Sequence, residues 1–85
     1  MANSRKKFEG NKVNVSGKRI KEYREKANLS RETLSAKLIL EGVDIPANSI
    51  ANLENNLRTI VDYELCAIAK VLNVDVSVLL QDFKK

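Results

Sequence analysis

Apolar residues recur at helical spacing along most of this chain, and small or polar residues punctuate them. Ile20, Tyr23 and Ala27 fall at i, i+3 and i+7 and mark the buried stripe of a first helix from about Gly17 to Ala27, with Ser16 as its N-cap. Lys18, Lys21, Glu22 and Glu25 lie on its wet faces. Asn28 and Leu29 break the pattern. Ser30 caps a second helix with Thr33 at N3, and Glu32 favours its N-terminus electrostatically. Leu34 and Leu38 form the core face of this helix, with Ile39 a candidate third, and Gly42 is its stop in a left-handed conformation.

Val43, Asp44 and Ile45 lead to Pro46, which suits a helix start because its missing N–H would be unsatisfied there anyway. A third helix is predicted from about Pro46 to Asn55, with Ile50 and Leu53 inward. Ala47, Asn48, Ala51 and Asn52 cannot all be buried with them. Asn55 and Asn56 supply the exit turn, since Asn tolerates positive φ. Asp62 caps a fourth helix to about Leu72, striped by Leu65, Ile68, Ala69 and Leu72. Asp75 or Ser77 opens a short fifth, in which Val76, Leu79, Leu80 and Phe83 are apolar. The expectation is an all-α domain of five helices around one core, over 16–83. It follows a flexible basic arm over 1–15, in which only the region near Val13 and Val15 is a candidate for order.

With 85 residues the chain allows one domain and one modest core. The net charge of +4 hides an asymmetry. Residues 1–37 carry eleven basic and four acidic side chains, a balance of +7; residues 38–85 carry four and seven, a balance of −3. One end is suited to a polyanion. Aromatics make up 5% with no Trp, too few for a platform that stacks single-stranded bases. His is absent and Cys66 is the lone cysteine. That removes the usual catalytic base, the commonest metal ligand and any intramolecular disulfide, so no metal, cofactor or enzymatic activity is expected. Cys66 beside the apolar stripe of the fourth helix reads as a buried, inert thiol. No apolar run approaches the roughly 18 residues of a membrane span, and no secretory segment is evident. A cytoplasmic protein, bacterial or phage-encoded, is expected.

Three segments carry a family resemblance: IKEYREKANLSRETLS, SIANLENN and DYELCAIAKVLNVDVSVLL. In this order, over about three quarters of the chain, they resemble the Cro/repressor (XRE) class of helix-turn-helix regulators, with the second and third helices as the motif. Two departures stand out. ILEGVDIP is longer than the commonest spacing, so either the second helix extends to Leu40 or Glu41 or the turn is wider. Asn56 stands where a Gly is usual.

The resemblance implies that the third helix enters the major groove of double-stranded DNA. Ala47, Asn48, Ser49 and Asn52 would then read bases, Asn pairing with adenine and Ala47 meeting a thymine methyl. It implies phosphate contacts from Arg31 and from Asn56 and Arg58 in the exit turn, with Lys37 a weaker candidate. It also implies a structural pair between Arg24 and Glu54 that ties the third helix to the first. Dimer contacts are expected from Val78, Leu79 and Phe83, so that the operator is an inverted repeat. The leading expectation is a sequence-specific regulator, most simply a repressor. The alternative is a protein-interaction module of the same fold, such as the antitoxin of a toxin–antitoxin pair.

Overall fold

The computed structural model describes residues 13–81. The described residues form five helices: α1 (Gly17–Lys26), α2 (Arg31–Leu40), α3 (Ala47–Glu54), α4 (Asp62–Leu72) and α5 (Val76–Leu79). Among them there is no strand, and no helix is long and apolar enough to cross a membrane. α2 and α3 pack most extensively on each other; α1 crosses α3, α4 and α5, and α4 backs α2 and α5. Ile20, Leu34, Leu38, Ile45, Ile50, Leu53, Ile68 and Leu79 are all fully buried, so every helix and the α2–α3 connection contribute to one core.

The first four helices end in the same way. Asn28, Gly42, Asn56 and Asn73 have φ between 60° and 82°, and the residue after each donates its N–H five residues back: Leu29 to Arg24, Val43 to Leu38, Leu57 to Asn52, Val74 to Ala69. This left-handed stop satisfies carbonyls at the helix end and normally seats the following apolar residue against the core. Leu29, Val43 and Val74 do pack there. Leu57 does not, and stays 74% exposed.

The helix starts are less uniform. Ser30 caps α2 by accepting the Thr33 N–H at 3.0 Å. Ser16, expected to cap α1, sits at φ −106° and ψ −10°, already in the helical region, and its side chain makes no cap bond. The carboxamide of Asn14 caps instead, accepting the Gly17 N–H at 2.7 Å. Asp62 is likewise not the cap of α4 but its first residue. The N-cap is Val61, whose N–H donates to Glu64 Oε1 at 3.2 Å.

Burial also corrects several sequence expectations. Ala27 is exposed because α1 has already ended; the third buried position on that face is Arg24. Ile39 is on the solvent side of α2. Cys66 is exposed rather than buried, because Glu64, Ala67 and Ile68 take the inward positions around it. Asn14, within the arm expected over 1–15, is buried and bonded into the domain, and residues 1–12 of that expectation lie outside the described residues.

Candidate nucleic-acid interface

The α2–α3 connection spans residues 41–46, the long turn noted in the sequence, with α2 reaching Leu40. It is held at several points. Val43 and Ile45 are buried, the Ser35 hydroxyl donates to Ile45 O at 2.6 Å, and Lys70 Nζ lies 2.9 Å from Glu41 Oε1. The turn therefore fixes α3 relative to α2 rather than letting it swing.

α3 buries Ile50 and Leu53 and turns Asn48 and Asn52 to solvent, with Ala47 and Ser49 beside them. Asn48 and Asn52 are one turn apart, about 6 Å along the axis. Their side chains make no hydrogen bond among the described residues. Two primary amides on a rigid helix thus present donors and acceptors with no internal partner.

Glu54, the last residue of α3, anchors the helix. Its carboxylate is fully buried and receives Arg24 through Nε at 2.7 Å and Nη2 at 3.1 Å. Arg24 Nη1 donates to Leu29 O at 2.8 Å, so that guanidinium is fully engaged in joining α1, α3 and the α1–α2 turn. These bonds to Glu54 hold the Arg24 charge more firmly than usual, against the opposing effect of burial. Arg31 then adds a third strand to the cluster, donating from Nε to Glu54 Oε1 at 3.0 Å. Its side chain remains 34% exposed, and neither of its Nη groups bonds elsewhere among the described residues. Lys37, on α2, is exposed and without an ion pair among them.

The exit turn is bonded to the start of the described chain. Asn56 Oδ1 accepts the N–H groups of Val13 and Asn14, and its Nδ2 donates to Asn14 O at 3.3 Å. In return Asn14 Nδ2 donates to Leu53 O at 3.1 Å and Arg58 O at 2.8 Å. The Asn56 side chain is committed to this lock. Arg58 is committed as well: Nη1 and Nη2 grip Glu64 Oε1 and Oε2 at 3.0 and 2.8 Å. Its side chain is still 33% exposed, close to the 34% of Arg31.

Leu79, expected at a dimer interface, is fully buried because α5 inserts it between α1 and α4. Val78 is half-buried, and Phe83 lies outside the described residues. Leu57, Val61, Tyr63 and Leu80 are the exposed apolar side chains of this half of the domain.

The Arg58–Glu64 pair makes the domain sensitive to acid. Arg58 lowers the pKa of Glu64 below the ordinary 4.5, with help from the Val61 N–H and against the penalty of burial. A depressed folded-state pKa gives stability that is complete above the unfolded value and disappears as pH falls through the folded one. Denaturant titrations from pH 6 to pH 3 are therefore expected to lose less stability below pH 4.5 in Glu64→Gln than in the parent chain. Identical slopes would show that the pair does not form in solution.

Sequence reading missed Asn14, Gly17, Ser35 and Glu64. Asn14 stands three residues before Gly17, whose N–H it caps, while Ser16 stands nearer and carries the more local capping signal. The Arg58–Glu64 contact crosses from a loop to a helix and follows no regular spacing.

Among the described residues no group of His, Cys, Asp and Glu could hold a metal ion. Compared with curated proteins and with solved structures, the chain shows no significant match. A family model described as helix-turn-helix matches residues 20–79, α1 through α5. With the geometry of α2, the held turn and α3, this places the chain in the Cro/C1-type (XRE) family of DNA-binding helix-turn-helix regulators.

Proposed function

We propose that this protein is a sequence-specific transcription regulator, most simply a repressor, that binds an inverted-repeat operator in double-stranded DNA as a dimer. The observation that carries this reading is the pair Asn48 and Asn52: exposed, without side-chain hydrogen bonds among the described residues, and mounted on a helix whose far end is fixed by Glu54. An amide can form two hydrogen bonds with adenine N6 and N7 in the major groove, and a well-formed pair discriminates by about 1–3 kcal/mol. Ala47 and Ser49 flank the pair and complete the reading face. Arg31, with its Nη groups unengaged, and Lys37 serve as phosphate contacts, which set register rather than sequence.

Two-fold symmetry would place two copies of α3 in successive major grooves about one helical turn apart. The dimer contact is assigned to Val78, the nearby exposed apolar residues and Phe83, with Leu79 excluded by its burial. Repression follows from occupying a promoter, with no chemistry at the site, in the cytoplasm where the DNA lies. A second reading, a protein-interaction module such as an antitoxin, is favoured by one observation: Ile39 and Leu40 are exposed at the end of α2, Leu40 at 84%.

Asn48→Ala and Asn52→Ala separate the two. Each is expected to weaken operator binding about 5- to 150-fold while leaving random-duplex binding nearly unchanged. Arg31→Gln is expected to weaken both and to reduce the salt slope by about one. Equal losses on operator and random DNA for the Asn variants would remove base reading from α3.

A further inference from the structure

The two ends of α3 are held by different means. At its C-terminal end Glu54 is buried and bonded to Arg24 and Arg31. Its N-terminal end starts from Pro46, at φ −62° and ψ 157°, and Pro46 makes no side-chain cap bond to the first turn. The tie at this end comes from α2. The Ser35 hydroxyl donates at 2.6 Å to Ile45 O, the carbonyl of the peptide that leads into Pro46. Ser35 is the fifth residue of α2, where alanine would be the better helix former. A serine inside a helix ordinarily bonds a carbonyl one turn back in the same helix. This one instead reaches a residue ten positions on, in the long connection. Glu41 and Lys70 also tie the connection down, but both are exposed, and surface pairs hold weakly.

We propose that Ser35 is a positioning residue for base reading: through Ile45 O it sets the tilt of α3 in the groove and so places Asn48. This rests on the DNA-binding reading above. Asn48 stands six residues before Glu54, about 9 Å along the helix axis, and Asn52 stands two before it, about 3 Å. A tilt of about 10° around the Glu54 end therefore moves Asn48 by about 1.6 Å and Asn52 by about 0.5 Å. N–H···O hydrogen bonds form over a range of about 0.5 Å in length. Under such a tilt the Asn48 amide loses its base and the Asn52 amide keeps its own. Ser35 acts through α3 and not by touching DNA, because its hydroxyl is engaged by Ile45 O.

The test is selection from a random duplex library with the parent chain, Asn48→Ala, Asn52→Ala and Ser35→Ala. Each Asn variant relaxes one base position in the half-site and so marks it. Ser35→Ala is expected to relax the position marked by Asn48→Ala by about 5-fold or more, and to keep the preference at the position marked by Asn52→Ala within about 2-fold of the parent. Amide hydrogen exchange of the free protein gives a second readout that needs no DNA. The Ile50 N–H closes the first turn of α3 onto Pro46 O at 3.0 Å, and the Asn55 N–H closes the last onto Ala51 O at 2.9 Å. In Ser35→Ala, exchange at Ile50 is expected to rise about 5-fold or more while Asn55 keeps its parental rate.

Equal relaxation at both base positions, or equal acceleration at both amides, is the signature of a general loss of stability and overturns the inference. No change at either base position, or at either amide, overturns it as well. If the two Asn variants mark their positions while Ser35→Ala gives one of these results, only the role of Ser35 fails. If the folded parent enriches no sequence, the base-reading role of α3 fails and the role of Ser35 fails with it.

Discussion

Replacing Glu54 with alanine is expected to destabilise the domain by about 3–5 kcal/mol, the range for removing one partner of a buried ion pair. The carboxylate has no solvent exposure and is the shared acceptor for Arg24 and Arg31. Without it the Arg24 guanidinium stays in a buried site with Leu29 O at 2.8 Å and Glu25 Oε2 at 4.0 Å as partners. A domain of this size has about 4–13 kcal/mol in total, so the loss is a large fraction of its stability. Glu54→Gln keeps the shape and one acceptor oxygen, and is expected to fall between parent and alanine. Arg31→Ala is expected to cost about 1 kcal/mol or less, because that partner is a third exposed. Urea midpoints measured on the set check the order. A Glu54→Ala midpoint equal to that of the parent would mean that the cluster is hydrated and does not anchor α3.

Gly17→Ala is expected to lower the melting temperature by about 10–20 °C, equivalent to about 2–3 kcal/mol at 4–8 °C per kcal/mol. Alanine in a helix would ordinarily stabilise by up to about 1 kcal/mol over glycine. Here a Cβ would lie 2.2 Å from Leu53 O and 2.9 Å from Asn14 Oδ1. The first of these is a backbone atom in the last turn of α3, so relief requires moving α1 off the reading helix. The second is the cap of α1, so the same clash disrupts the lock at the exit turn. Gly42→Ala is the useful contrast. Nothing lies within 4 Å of its Cβ position, and only its φ of +82° is costly, by about 1–2 kcal/mol. A Gly17→Ala chain melting above the parent would show that the two helices do not approach this closely.

The helices are legible in the sequence because their signals are local. The spacing of Ile20, Leu34, Leu38, Ile50, Leu53 and Ile68, the Ser30 cap and the Gly42 stop all act within one or two turns, and the structure realises each. The outward direction of Asn48 and Asn52 follows from the same periodicity, since Ile50 and Leu53 fix the inward face. What is not legible is non-local. Whether Arg31 and Arg58 point outward depends on carboxylates 23 and 6 residues away that only the folded chain brings near. Asn56 is recognisable as a turn residue from its backbone preference, but the destination of its side chain depends on Val13 and Asn14 at the other end of the domain. Leu79 reads as a free apolar surface because α5 is only four residues long, too short for periodicity to separate its buried face from its exposed one. Cys66 adjoins the apolar stripe of α4 without belonging to it, and the sequence alone puts it on the wrong side.

Whether α3 reads base sequence is decided by selection from a random duplex library. Folded protein would be incubated with the library at about physiological salt, where non-specific phosphate binding is suppressed, and the bound sequences determined. An enriched inverted repeat is expected, with half-sites centred about one helical turn apart and adenines at the positions facing Asn48 and Asn52. A bound pool with no enriched sequence, recovered from folded protein, would contradict it and turn attention to Ile39 and Leu40 as the surface of a protein-binding module.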